Sequence, residues 1–136
     1  MALYLITNGA APGAAAPVVV TTGTAIKTLL QVKPSATITA KIVEWGISFD
    51  GSAAATPIKV ELVETSGAAT VTAAVAADIT KLDANALAGG DPTTNLLPVG
   101  TTSTGYTASG EGTPGTCRIF DLQLIAPTNQ YVKQFP

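Results

Sequence analysis

Apolar and polar residues alternate with a period of two over much of the chain, and β-branched residues fill the alternating runs, the signature of half-buried strands. The cleanest run is Pro57 to Glu64, where Ile58, Val60 and Leu62 form one face and Lys59 and Glu61 the other. A second spans Arg118 to Ile125, with Phe120, Leu122 and Leu124 alternating with Asp121 and Gln123. From Thr37 the pattern places Ile38, Ala40 and Ile42 on one face, then Val43, Trp45, Ile47 and Phe49 on the opposite parity. The switch at Ile42-Val43 predicts a bulge or a change of packing environment. Shorter strands are predicted at Ala2 to Thr7, Pro17 to Thr22, Thr24 to Val32 and Ala68 to Val75. In the run from Thr24, Ile26, Leu30 and Val32 share a face with Thr28.

Breakers punctuate these runs: Asn8-Gly9, Gly23, Pro34-Ser35 and Asp50-Gly51. One helix is predicted over DITKLDANALAGG, capped by Asp78 and stopped by Gly89-Gly90, with Ile79, Leu82 and Leu87 on one side. Residues 91–112 read as a long Pro-, Thr- and Gly-rich loop. The expected fold is all-β: a single, jelly-roll-like β-sandwich with at most one short helix. It divides into an N-terminal strand and arm (residues 1–16) and a sandwich domain (residues 17–136). No internal repeat is visible.

Composition changes the picture in one respect. Hydrophobic residues make up 46% of the 136-residue chain and charged residues only 12%, about half the usual charged share. Thr, Ser, Gly and Ala must therefore cover much of the outside, which is expected where surface is buried in an assembly, the favoured explanation, or where the surroundings tolerate a weakly polar coat. The net charge of −2 and the scatter of Lys27, Lys33, Lys41, Lys59, Lys81, Arg118 and Lys133 argue against nucleic-acid binding, which needs a basic stripe. No apolar run approaches a membrane span, and MALYLITNGAAPG lacks the charged leader of a secretory signal.

The chemistry-bearing residues are sparse. With no histidine, Ser-His-Asp and Cys-His catalysis and histidine-bearing zinc sites are excluded. Cys117 is the single cysteine and reads as a half-buried thiol in a strand. Glu61 and Glu64, three apart on a strand, face opposite sides and cannot form a catalytic pair. Asp91 with Asn95 lacks the dense oxygen ligands of a calcium loop, and TASGEGTPG is not a phosphate-binding loop. No enzyme activity, cofactor or metal is expected. Trp45, in phase with Ile47 and Phe49, reads as core.

Residues at the two ends are the candidates for contact with other chains. Ala2, Leu3, Tyr4, Leu5 and Ile6 form either an edge that adds to a neighbour's sheet, followed by the Ala/Gly/Pro arm, or an ordinary first strand. Tyr131, Val132 and Phe135 lie in a Pro-bounded tail that either meets another subunit or folds back.

The segments YLITNGAAP, TTGTAIKTLLQV and EWGISFDG, and above all the tail LIAPTNQYVKQFP, resemble small β-proteins among the virion genes of tailed bacteriophages. The resemblance covers most of the chain and carries no catalytic motif. It is to capsid decoration (cement) or head-surface proteins, which implies a virion location on the capsid surface, the major capsid protein as partner, and a homo-oligomer, with a trimer favoured. The expected function is to bridge capsid subunits. The alternatives are a tail or head-fibre component, or a carbohydrate- or adhesin-like binding module. Members of the family continue past the QYVKQFP-like segment with further strand sequence, so the resemblance implies one strand more than this sequence holds.

Overall fold

The computed structural model describes residues 3–9, 19–34, 39–75, 78–82, 104–113 and 115–136. The described part is nearly all β, in four antiparallel sheets. Nine strands run in chain order: β1 (Tyr4–Ile6), β2 (Leu30–Gln31), β3 (Glu44–Ser48), β4 (Ile58–Thr65), β5 (Thr70–Ala73), β6 (Ile79–Lys81), β7 (Gly105–Gly110), β8 (Cys117–Ile125) and β9 (Gln130–Gln134). They divide into two compact units, Met1–Ala40 with Gly67–Thr113, and Lys41–Ser66 with Pro114–Pro136.

In the first unit β2, β7 and β5 form a three-stranded sheet with β7 central, and β1 pairs with β6. Tyr4 and Ile6 on β1 pack on buried Ala74 and Ile79, a small apolar cluster. Thr104, fully buried, ties down the chain after β2: its hydroxyl accepts from Lys33 N (2.9 Å) and donates to Lys33 O (3.2 Å). Gln31 does the same for residue 69, accepting from Ala69 N at 2.9 Å.

Gly105, buried between β5 and β2, leaves no room for a side chain, since a Cβ there would run into the Thr72 carbonyl oxygen and the Val71 side chain. Gly105→Ala is expected to cost about 1–3 kcal/mol of stability by overpacking, read as a lowered denaturant midpoint at unchanged slope. Two residues further on, Thr107 holds φ at 48°, a left-handed conformation rare for a β-branched residue. It falls where the β5–β7 register shifts between Thr70 and Thr72, and its hydroxyl donates to Asn8 Oδ1 at 3.3 Å.

Several sequence expectations are corrected in this unit. The helix expected from Asp78 begins instead as strand β6, and residues 83–90 lie outside the described residues. Asp78 does cap, but a turn: its carboxylate accepts from Val75 N at 2.8 Å. Ile79 is drawn into the β1 pairing because the Tyr4–Ile6 strand gives it an apolar neighbour. The loop expected over 91–112 contains strand β7; its residues 91–103 lie outside the described part. In the run from Thr24 only Leu30–Gln31 is strand, and the inward residue is polar Gln31, while Ile26 and Leu30 are exposed.

The second unit holds two ribbons, β3 paired with β9 and β4 paired with β8. The tail, expected to lack strand structure, is strand β9, held along its length by Glu44–Ser48. The alternation read from β4 holds: Ile58, Val60 and Leu62 are half-buried and Lys59 and Glu61 exposed. Ile42-Val43, where the parity switches, precedes β3 and lies outside any strand. A bulge lies on β8, where Leu62 pairs with Asp121 and Val63 with Ile119, leaving Phe120 as the extra residue.

Candidate functional site

The centre of the second unit is polar. In the β3–β9 register Trp45 lies opposite Lys133 and Ile47 opposite Tyr131, so these four side chains share one face. In the β4–β8 register Ile58, Val60 and Leu62 share a face with Ile125, Gln123 and Asp121. The two sets meet at Asp121, whose side chain is only 4% exposed. Its Oδ2 accepts from Trp45 Nε1 (3.2 Å) and Tyr131 OH (2.9 Å). Its Oδ1 accepts from Gln123 Nε2 (2.9 Å) and Leu122 N (3.0 Å) and lies 3.2 Å from Lys133 Nζ. The Trp45 and Tyr131 rings flank it, their centroids 5.4 Å apart and tilted by 58°.

Burial by itself raises the pKa of Asp121. Hydrogen bonds from Gln123, Tyr131 and Lys133, with the Lys133 charge, outweigh it and hold the carboxyl at about 2, below its ordinary 3.8. Tyr131 is pushed up by burial and by the carboxylate it donates to. A carboxylate this acidic, with both oxygens engaged, is a poor general base near neutral pH, because base catalysis needs a pKa close to the working pH. Asp121 is a clasp that ties β8 to both strands of the facing ribbon.

The pH dependence follows from the direction of each shift. Because the folded pKa of Asp121 lies below its unfolded value, its contribution is present above about pH 4 and disappears as pH falls through about 2. Tyr131, shifted up, contributes below pH 10 and loses its contribution as the phenol ionises. The denaturant midpoint is expected to fall between pH 4 and pH 2, and Asp121→Asn is expected to flatten that fall. A wild-type midpoint constant from pH 5 to pH 2 would contradict the clasp.

The sequence gives the alternation of β8, and the structure decides which of its faces is buried. The apolar residues of the alternation, Phe120, Leu122 and Leu124, are the outward ones, 45%, 47% and 70% exposed. Their alternation partners Asp121 and Ile125 are buried. The facing ribbon presents an indole N–H, a phenol and an ammonium to this position, and a carboxylate satisfies all three where a leucine would leave them bare. The bulge at Phe120 adds Ile119 to the outer face beside Val63, at 55% and 39% exposure. The outer face of β4–β8 therefore carries Val63, Ile119, Leu122 and Leu124, with Lys59 and Glu61 bridging at 2.6 Å. The outer face of β3–β9 is polar: Glu44, Ser48, Gln130 and Gln134, with Val132 (60% exposed) among them.

The end residues separate as well. Leu3 and Leu5 are about half exposed, while Tyr4 and Ile6 turn to the apolar cluster and β1 pairs with β6 as part of its own sheet. Ala2 lies outside the described residues. Tyr131 points inward to Asp121, Val132 points outward, and half-buried Phe135 lies 5.4 Å from Lys133 Nζ. Cys117 is exposed at the start of β8 rather than half-buried. Among the described residues no group of three His, Cys, Asp or Glu side chains could hold a metal ion. In the first unit an open cleft of about 420 Å³ is lined by Thr21, Gly23, Lys27, Ser109 and Glu111, without an aromatic ring.

Comparison with protein-family models, with curated proteins and with solved structures finds no match for this chain.

Proposed function

We propose that this protein is a structural component of a tailed-phage virion, a capsid decoration (cement) module that binds the outer face of the icosahedral shell and bridges its subunits. The observation that carries this reading is the outer face of β4–β8, where Val63, Ile119, Leu122 and Leu124 are 39–70% exposed in a chain with only 12% charged residues. An apolar sheet face in a weakly charged protein is the surface of a part that works inside an assembly, packed against neighbouring subunits of the coat, copies of itself included. The jelly-roll-like sandwich suggested by the strand pattern, and the trimeric state favoured by the resemblance, belong to the same reading.

The mechanism is mechanical and involves no catalysis, cofactor, nucleic acid or membrane. Each copy contributes modest contacts to neighbouring shell proteins, and many copies acting together raise the work needed to open the shell. The exposed Leu3 and Leu5 on β1 and the exposed Val132 on β9 supply further apolar contact points. A carbohydrate-binding module is less well supported, since Trp45 and Tyr131 are turned inward to Asp121 and the cleft lacks a stacking ring.

The test compares particles with and without the protein. Stripped particles are expected to release DNA at a lower temperature, and adding back the purified chain is expected to restore the original value. Identical release temperatures would remove the stabilising role.

A further inference from the structure

On the outer face of β4–β8, Lys59 and Glu61 are one strand period apart and of opposite sign. Their register partners, Leu124 and Leu122, have the same spacing on β8. A two-fold axis across the ribbon between these two pairs would set Lys59 over the partner's Glu61 and Leu124 over the partner's Leu122. We propose that a second copy of this chain covers this face, stacked antiparallel about that axis.

Charge selects the occupant. The face carries one cation and one anion in contact, with side chains 61% and 35% exposed, so it offers no net attraction to nucleic acid or to an anionic lipid surface. The same two charges are self-complementary under a two-fold, because each meets its opposite and the pair becomes an alternating cluster of four. Leu124, 70% exposed, and Leu122, 47% exposed, close together by the same operation. Val63 and Ile119 extend the apolar strip toward the bulge.

Size sets the strength. The axis falls at Val60, so β4 overlaps its copy over Ile58–Leu62; five residues span about 16 Å and two strands about 10 Å, roughly 160 Å² per copy and well under the about 800 Å² of a standard stable interface. The contact is therefore weak alone and effective when copies are held side by side. Self-association of the free protein falls in the range of roughly 10 µM to 1 mM.

Sedimentation velocity of the full chain across that range is the test, with far-UV circular dichroism to show that each variant is folded. Wild-type protein is expected to show a concentration-dependent rise in sedimentation coefficient. Leu124→Lys and Lys59→Glu alter exposed side chains, leave the fold intact, and are expected to weaken association about tenfold or more by placing like charges or an unpaired ammonium at the contact. The double variant Lys59→Glu/Glu61→Lys restores self-complementarity and is expected to return to within about threefold of wild type. Wild-type protein that stays monomeric to about 1 mM, association untouched by Leu124→Lys and Lys59→Glu, or a double variant no better than the single would each overturn the contact. Monomeric protein that still bound particles would overturn it while leaving the virion reading intact.

Discussion

Asp121→Asn is expected to lower the thermal midpoint of the second unit by roughly 10–20 °C, the largest effect among the substitutions considered at the described residues. The asparagine has the shape of the aspartate but turns one acceptor into a donor, so the donors at that position face an N–H₂ group. Trp45 Nε1 and Tyr131 OH converge on one oxygen, and Gln123 Nε2, Leu122 N and Lys133 Nζ on the other. Either amide orientation therefore leaves at least two donors without an acceptor, at least one of them on a strand of the facing ribbon. Differential scanning calorimetry checks the shift, and a midpoint within about 2 °C of wild type would show that the cluster contributes little.

Trp45→Ala is expected to be the second largest effect, about 3 kcal/mol of lost stability. Two contributions are removed together, the ring packed 5.4 Å from Tyr131 and the N–H donated to Asp121. Trp45→Phe separates them, because it keeps most of the aromatic area and loses only the donor. With four donors still on Asp121, the phenylalanine variant is expected to cost about 1 kcal/mol. Urea denaturation of the two variants decides between packing and hydrogen bonding. Equal losses would assign the stability to the donated hydrogen bond, and a far larger loss in the alanine variant to the packed ring.

The strands that were legible in the sequence are those whose two faces differ chemically. On β4 the inward residues are Ile58, Val60 and Leu62 and the outward ones Lys59 and Glu61, so period-two reading gives both the strand and its orientation. On β8 the same reading gives the strand but not which of its faces is buried. The choice there is made by three donors on the facing ribbon, 76 positions away at Trp45 and 10 and 12 positions away at Tyr131 and Lys133. No local window contains that information. One local clue was present: Ile125 is in phase with Asp121 and Gln123, and it is buried.

The same limit explains the tail and the expected helix. Gln130–Gln134 has weak strand character alone and becomes strand β9 because β3 supplies its ladder. Ile79–Lys81 carries a helix-like cap and spacing but pairs with β1, where burial of Ile79 against Tyr4 and Ile6 overrides local propensity. For the candidate surface, the low charge gave no location, and only the three-dimensional register shows that the apolar outer face carries Leu122 and Leu124 rather than Tyr131.

A virion protein is defined first by where it resides. Material from its source, sedimented through a density gradient and quantified across the fractions, gives the decisive reading. A decoration protein is expected to co-migrate with DNA-filled particles at a copy number comparable to that of the major shell protein. Protein that remains at the top of the gradient, with none in the particle band, would contradict it.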